Sequence, residues 1–124
     1  MSKPRYLIVD DDKLIRDYMD AVFSDEAIIS TACNGREALS LLTKTNFDVV
    51  ICDFQMPYLN GIDLFKEMKS DKSTTCDKFI LCTGSLTQEI YQFCSNNKIP
   101  FCQKPIKNDV LKKIVRRVTK CNAY

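Results

Sequence analysis

The feature that most constrains this chain is an alternation of short apolar runs with stretches of helical periodicity. Tyr6 to Val9, Phe47 with Val49 to Cys52, and Phe79 to Cys82 are continuous apolar runs, the pattern of strands buried on both faces of a parallel sheet. Ala27 to Thr31 and Ile99 to Cys102 are weaker runs that complete a spacing of about 20 to 30 residues. Between and after the runs lie helical stripes, with apolar residues three and four apart. They comprise Leu14, Ile15, Tyr18, Met19, Val22 and Phe23; Ala38, Leu41 and Leu42; Ile62, Phe65 and Met68; Ile90, Phe93 and Cys94; and Val110, Leu111, Ile114, Val115 and Val118. Strand then helix, five times over, predicts an α/β fold: a parallel sheet with helices on both faces, since right-handed crossovers must return over the sheet.

Helix starts carry their own signals. Asn34 with Glu37 fits an N-cap with a reaching acid, and Ser85 with Gln88 predicts a second such cap. Asn60-Gly61 predicts a turn before the third helix. With 124 residues and no linker, repeat or low-complexity stretch, one domain spanning residues 1–124 is expected, large enough to bury a core without metal or disulfide staples.

Composition then excludes chemistry. The chain has no histidine, which removes imidazole acid/base catalysis, Ser-His and Cys-His nucleophilic pairs and zinc sites of the Cys2His2 type. Seven cysteines, an odd number without any C-x-x-C pair, predict reduced thiols. With an opening that lacks an apolar signal segment and no apolar run beyond about five residues, the expectation is a soluble, cytoplasmic protein. Residues 1 to 62 hold six Lys/Arg against ten Asp/Glu, whereas residues 63 to 124 hold twelve against six. The acidic front half points to a cation or cationic partner.

In a parallel α/β sheet, ligands bind beyond the carboxyl ends of the strands. Asp10, Asp11 and Asp12 follow the first run, Asp53 ends the third, Thr83, Gly84 and Ser85 follow the fourth, and Lys104-Pro105 follow the fifth. Asp10, Asp11 and Asp53 in one pocket are unfavourable without a cation. Hard oxygen ligands with room for water suit Mg2+, or Mn2+ in its place. Asp12 is expected to cap the first helix, a role open to Asp11 as well. Thr83 and Lys104 each carry little information alone; at adjoining strand ends they could hold a tetrahedral anion. A carboxylate set among metal, hydroxyl and ammonium suits an aspartyl phosphate, with Asp53 as nucleophile.

The acidic pair Asp10-Asp11, D-F-Q-M-P-Y-L-N-G from Asp53 to Gly61, L-C-T-G-S around Thr83 and F-C-Q-K-P ending at Pro105 together resemble the receiver domain of two-component response regulators. The resemblance covers essentially the whole chain. It implies a doubly wound, flavodoxin-like (βα)5 domain with strand order 2-1-3-4-5. It also implies Asp53 as phosphoacceptor, Asp10 and Asp11 as metal-binding acids with the backbone carbonyl of Gln55, Thr83 as switch hydroxyl, and Lys104 as its partner. Lys104-Pro105 would be a cis peptide. Phe101 matches the aromatic switch position, where many receivers carry Tyr; the alternative is that it is simply edge-strand core. Gln55 and Ser85 lie where the family tunes autodephosphorylation.

The implied function is a phosphorylation-activated switch. A histidine kinase or histidine phosphotransfer protein would supply the phosphoryl group in trans, and activation would change the face of the fourth helix, fifth strand and fifth helix toward an output partner. Lys107, Lys112, Lys113, Arg116, Arg117 and Lys120 line that region. They are either a solvated face or a site for an acidic partner or phosphorylation-dependent dimer. The cysteines read as small buried hydrophobes, with Cys121 the candidate for any redox role. A receiver domain within a longer DNA-binding regulator or hybrid kinase is an alternative setting. A Mg2+-dependent phosphatase with an aspartyl nucleophile would want a second Asp where Gln55 stands. A flavodoxin-like electron carrier would want a phosphate loop in place of Asp10 to Asp12. Direct nucleic-acid binding is not expected, because the basic last helix lacks interleaved aromatics, and no membrane partner is expected, because the apolar runs are far short of a span.

Overall fold

A computed structural model describes residues 3–71 and 78–121, with side chains up to residue 119. Five strands and five helices alternate: β1 (Arg5–Val9), α1 (Lys13–Phe23), β2 (Ile28–Ala32), α2 (Gly35–Lys44), β3 (Val49–Asp53), α3 (Gly61–Ser70), β4 (Phe79–Thr83), α4 (Gln88–Asn97), β5 (Phe101–Gln103) and α5 (Asn108–Cys121). The sheet is parallel throughout, in order β2-β1-β3-β4-β5, as the sequence predicts. Cys76 lies outside the described residues, as do the side chains of Lys120 and Cys121.

Strand side chains alternate between two buried layers. Leu7, Val9, Val50, Cys52, Phe79 and Leu81 face α2, α3 and α4, packing on Ala38, Leu42, Leu64, Phe65, Met68 and Ile90. Tyr6, Ile8, Val49, Ile51, Ile80 and Cys82 face α1 and α5, packing on Met19, Phe23, Leu111, Val115 and Val118. Each layer holds an edge-to-face aromatic pair, Phe65–Phe79 at 5.4 Å and Tyr6–Phe23 at 5.5 Å between ring centroids. β1 and β3, the central strands, are therefore apolar on both sides, and β3 reaches the carboxyl edge carrying Asp53 as its last residue.

Local chemistry fixes where helices begin. Asn34 and Asn60 cap α2 and α3, accepting the N–H groups of Glu37 and Asp63 at 2.8 Å each. Asp12 caps α1 by accepting the Leu14 N–H. The expectation that Ser85 caps α4 is corrected: the cap is Thr87, whose hydroxyl accepts the Ile90 N–H at 3.2 Å. Ser85 is committed elsewhere, since its carbonyl and its N–H are both bonded to the Thr83 hydroxyl.

Two strand boundaries shift for similar reasons. Ala27 donates its N–H back to Phe23 at the end of α1, so β2 begins one residue later than expected. Ile99 donates to Cys94 beside Lys98, whose φ of 56° closes α4. That leaves only Phe101–Gln103 to form β5. No described helix is long and apolar enough to cross a membrane.

Candidate functional site

Three carboxylates converge at the carboxyl edge because β1 and β3 are neighbours in the sheet. Asp10 directly follows β1 and Asp53 ends β3. Oxygens of Asp10, Asp11 and Asp53 lie within 4.8 Å of one another. Asp10 and Asp53 are buried, at 2% and 6% exposure, while Asp11 faces solvent.

Asp10 is held from several sides. Its N–H donates to the Ala32 carbonyl at 3.1 Å, its carbonyl accepts the Arg16 guanidinium at 2.8 Å, and its Oδ1 accepts the Asp12 N–H at 2.9 Å. The remaining oxygen, Oδ2, accepts from Lys104 Nζ at 3.0 Å. The same ammonium stands 3.0 Å from Asp53 Oδ1.

Lys104 reaches this position from the end of β5. Its N–H donates to the Thr83 carbonyl at 2.8 Å, and the Lys104–Pro105 peptide bond is cis. Burial raises the Asp53 pKa; hydrogen bonding to Lys104 opposes that rise, and the negative charges of Asp10 and Asp11 add to it. For Lys104, burial acts to lower the pKa, but its bonds to Asp53 and Asp10 outweigh burial and leave it raised. The ammonium therefore stays charged at neutral pH. Three acids against one ammonium leave the pocket negative, with hard oxygen donors suited to a divalent cation such as Mg2+.

Thr83 is buried at the end of β4, and its hydroxyl points into its own loop rather than at Asp53, donating to the Ser85 carbonyl at 3.0 Å. Gln55 is exposed and lines an open cleft of about 390 Å³ with Asp11, Phe54, Met56, Pro57 and Asn60. Phe101 stands apart from the acids. It is half-buried against the α2/α3/α4 layer and meets Tyr91 edge-to-face at 5.8 Å. The structure thus brings Asp10, Asp11, Asp53 and Lys104 together, leaves the Thr83 hydroxyl bonded within its own loop, and packs Phe101 against Tyr91.

Two residues of this region escaped sequence reasoning. Arg16 is one of several polar residues on α1, with Asp17 and Asp20, and gives no periodic signal, yet it clamps the Asp10 backbone. Gly61 opens α3 so close to β3 that an added Cβ would stand 2.8 Å from the Asp53 carbonyl oxygen and 2.6 Å from Leu81 Cδ1. The adjoining Asn60 was legible as a turn residue, but the close approach behind it was not.

Known proteins resemble this chain in sequence and fold. The family model described as the response regulator receiver domain matches residues 6–116. Among curated proteins, a protein-glutamate methylesterase/protein-glutamine glutaminase of Methanococcus maripaludis is 32% identical over 127 residues, covering 95% of this chain and 35% of its own length. Response regulator SaeR of Staphylococcus aureus is 42% identical over 67 residues, covering 53% of this chain and 29% of its own. The chain therefore spans only about a third of the length of these relatives. Among solved structures, chemotaxis protein CheY4 of Vibrio cholerae superposes with a TM-score of 0.85 at 27% identity, covering 94% of this chain and 99% of that one. The receiver domain of Francisella response regulator 1452 superposes with a TM-score of 0.86 at 28% identity, covering 97% and 99%. With the family's pattern spanning nearly all of its length and its fold matched over 94% or more of the chain, the chain belongs to the response regulator receiver domain family of two-component systems.

Proposed function

We propose that this chain, as one receiver domain over residues 1–124, is a phosphorylation-activated switch in which Asp53 accepts a phosphoryl group from a partner phosphohistidine. The observation that carries this reading is a buried Asp53 carboxylate bonded by a single ammonium, Lys104, that also serves Asp10. A carboxylate oxygen of Asp53 attacks phosphorus while the phosphorus–nitrogen bond to the donor imidazole breaks. The imidazole nitrogen then takes up a proton as it leaves. Because these 124 residues hold no histidine, the donor is a histidine kinase or histidine phosphotransfer protein on another chain or another domain.

Asp10, Asp11, Asp53 and the Gln55 backbone carbonyl would hold Mg2+ or Mn2+. Such an ion supplies charge neutralisation for phosphoryl oxygens. Lys104 follows one of those oxygens, giving up its present contact with Asp53. Thr83 turns from Ser85 to donate its hydroxyl to another, drawing the end of β4 toward the site. Phe101 and the surface of α4, β5 and α5 then repack. This is the face offered to an output protein or domain, or to a second copy in a phosphorylation-dependent dimer. Exposed Lys107, Lys113, Arg116 and Arg117 suit an acidic partner there. Gln55 and Ser85 set how readily water reaches the acyl phosphate. A phosphatase with an aspartyl nucleophile is disfavoured because Gln55 cannot serve as its acid/base. Given the greater length of its relatives, the domain also suits a place in a longer regulator or hybrid kinase. A cytoplasmic setting fits a phosphohistidine donor.

The test is to expose the chain to acetyl phosphate or beryllofluoride with Mg2+ and to follow intact mass and fluorine resonance. Wild type should gain one phosphoryl group and bind beryllofluoride, and Asp53→Asn should do neither. Full phosphorylation of Asp53→Asn would overturn the assignment.

A further inference from the structure

The core facing α1 and α5 contains a feature that phosphoryl transfer does not use. Cys82 on β4 and Cys102 on β5 are register partners in the sheet, and their sulfurs lie 3.1 Å apart. Directly paired neighbours in a parallel sheet have Cα atoms near the inter-strand spacing of about 4.8 Å. That falls within the range of about 4.4 to 6.8 Å that a disulfide spans. Both side chains belong to the same buried layer, whereas Cys52 on the adjacent β3 belongs to the opposite one. The thiols therefore face each other, and no third cysteine with a described side chain shares their layer.

We propose that Cys82 and Cys102 form a peroxide-sensitive dithiol that closes to a reversible disulfide across β4 and β5. Cys102 is the point of attack. It is the less buried of the two, at 7% against 1%. It also lines a surface groove of about 320 Å³ with Phe101, Gln103, Pro105, Lys107 and Val110, which admits a molecule the size of hydrogen peroxide. The two sulfurs already share a hydrogen bond across the strands. The Cys102 sulfur takes one peroxide oxygen, becoming a sulfenic acid as the oxygen–oxygen bond breaks and one water leaves. The Cys82 sulfur then attacks the Cys102 sulfur, the sulfur–oxygen bond breaks, and a second water carries off the hydroxyl and the Cys82 proton. Two thiols and one peroxide thus give one disulfide and two waters. The bond would brace β4 one residue before Thr83 and β5 two residues before Lys104, the strand ends that carry the two mobile groups of the site. The inference stands apart from the phosphoryl-transfer reading, because it rests on the register and layer of the two strands and on the groove beside Cys102.

The test treats the full chain with graded hydrogen peroxide, quenches with acid, alkylates the remaining thiols and maps peptides before and after reduction. A Cys82–Cys102 linked peptide should accumulate as the main crosslink, disappear with dithiothreitol, persist in Cys33→Ser and Cys52→Ala, and be lost in Cys102→Ser. Should Cys102→Ser fold poorly, the wild-type map decides alone. The proposal falls if both thiols remain alkylated while Cys33 is oxidised. It falls equally if Cys102 proceeds to sulfinic acid with no crosslink, or if the main crosslink joins other cysteines.

Discussion

Lys104 Nζ stands 3.0 Å from Asp53 Oδ1, and it is the only described ammonium or guanidinium in ion-pair contact with that carboxylate. One cation divided between Asp53 and Asp10 leaves the cluster under-neutralised, so burial prevails and the Asp53 pKa lies above its ordinary 3.8. The buried Asp53 carboxylate is thus a burden on the fold.

The sign of the pH dependence follows. A carboxyl group with a raised folded-state pKa is fully tolerated below its unfolded pKa, and its contribution to stability is lost as pH rises through the folded-state value. In metal-free buffer at neutral pH, Asp53→Asn should therefore melt at a higher temperature than wild type. The gap should close as pH is lowered toward the ordinary carboxyl range of about 4. Thermal unfolding of both proteins across pH checks this, and a constant gap would mean that the gain is not electrostatic.

Metal binding relieves the same burden. Mg2+ should stabilise the folded chain by roughly 2.7 kcal/mol when its free concentration is about a hundred times Kd. Asp11 is exposed and no described side chain bonds to its carboxylate, so Asp11→Ala should leave metal-free stability within about 0.5 kcal/mol of wild type. Its Mg2+ affinity should fall tenfold or more, by the loss typical of a charged ligand or its outer partners. Melting curves with and without Mg2+ separate the two effects.

At the end of β4, the candidate N-caps divide in a measurable way. Thr87→Ala should cost about 1 kcal/mol, the usual loss for a capping hydroxyl. Ser85→Ala should stay within roughly 0.5 kcal/mol, since Ser85 is exposed and its backbone supplies both bonds to Thr83. Urea unfolding of the two variants decides which residue begins α4.

This pair also marks how far the sequence could be read. The fold was legible because apolar runs such as Val49 to Cys52 must be covered on both sides, and the site because a charged residue ending such a run, as Asp53 does, serves no packing purpose. Asn34 and Asn60 were legible as boundary residues because their signals compete with nothing, and Asp12 was legible beside its one competitor, Asp11. Ser85 misled because Thr83, two residues earlier, folds back on it, and a hydroxyl that bonds locally leaves no trace in periodicity. Thr83 itself matched the site by position, but which way its hydroxyl turns depends on that same local bond. The Cys82–Cys102 contact was hidden for a different reason: it depends on strand register, which follows from packing the whole sheet.

Gly61 tests whether the site depends on that packing. The third helix begins against the end of β3, with the Gly61 N–H donating to the Phe54 carbonyl at 2.9 Å and its Cα facing the Asp53 carbonyl and Leu81. An alanine methyl would meet backbone on one side, where nothing can rotate away, so Gly61→Ala should cost about 1 to 3 kcal/mol despite alanine's better helix propensity. Relief requires α3 to move off the sheet, which would tilt the last peptide of β3 and carry the Asp53 carboxylate away from Lys104. Gly61→Ala should therefore lose phosphorylation by acetyl phosphate to a greater degree than its stability loss alone predicts. Gly35→Ala is the control. There the approach is to Leu59, 2.5 Å from Cδ2 and 2.9 Å from Cβ, so the loop that carries Leu59 must give way rather than β3. Unfolding curves and phosphorylation rates for the two variants would separate them, and equal losses of activity would show that the approach of α3 does not set the position of Asp53.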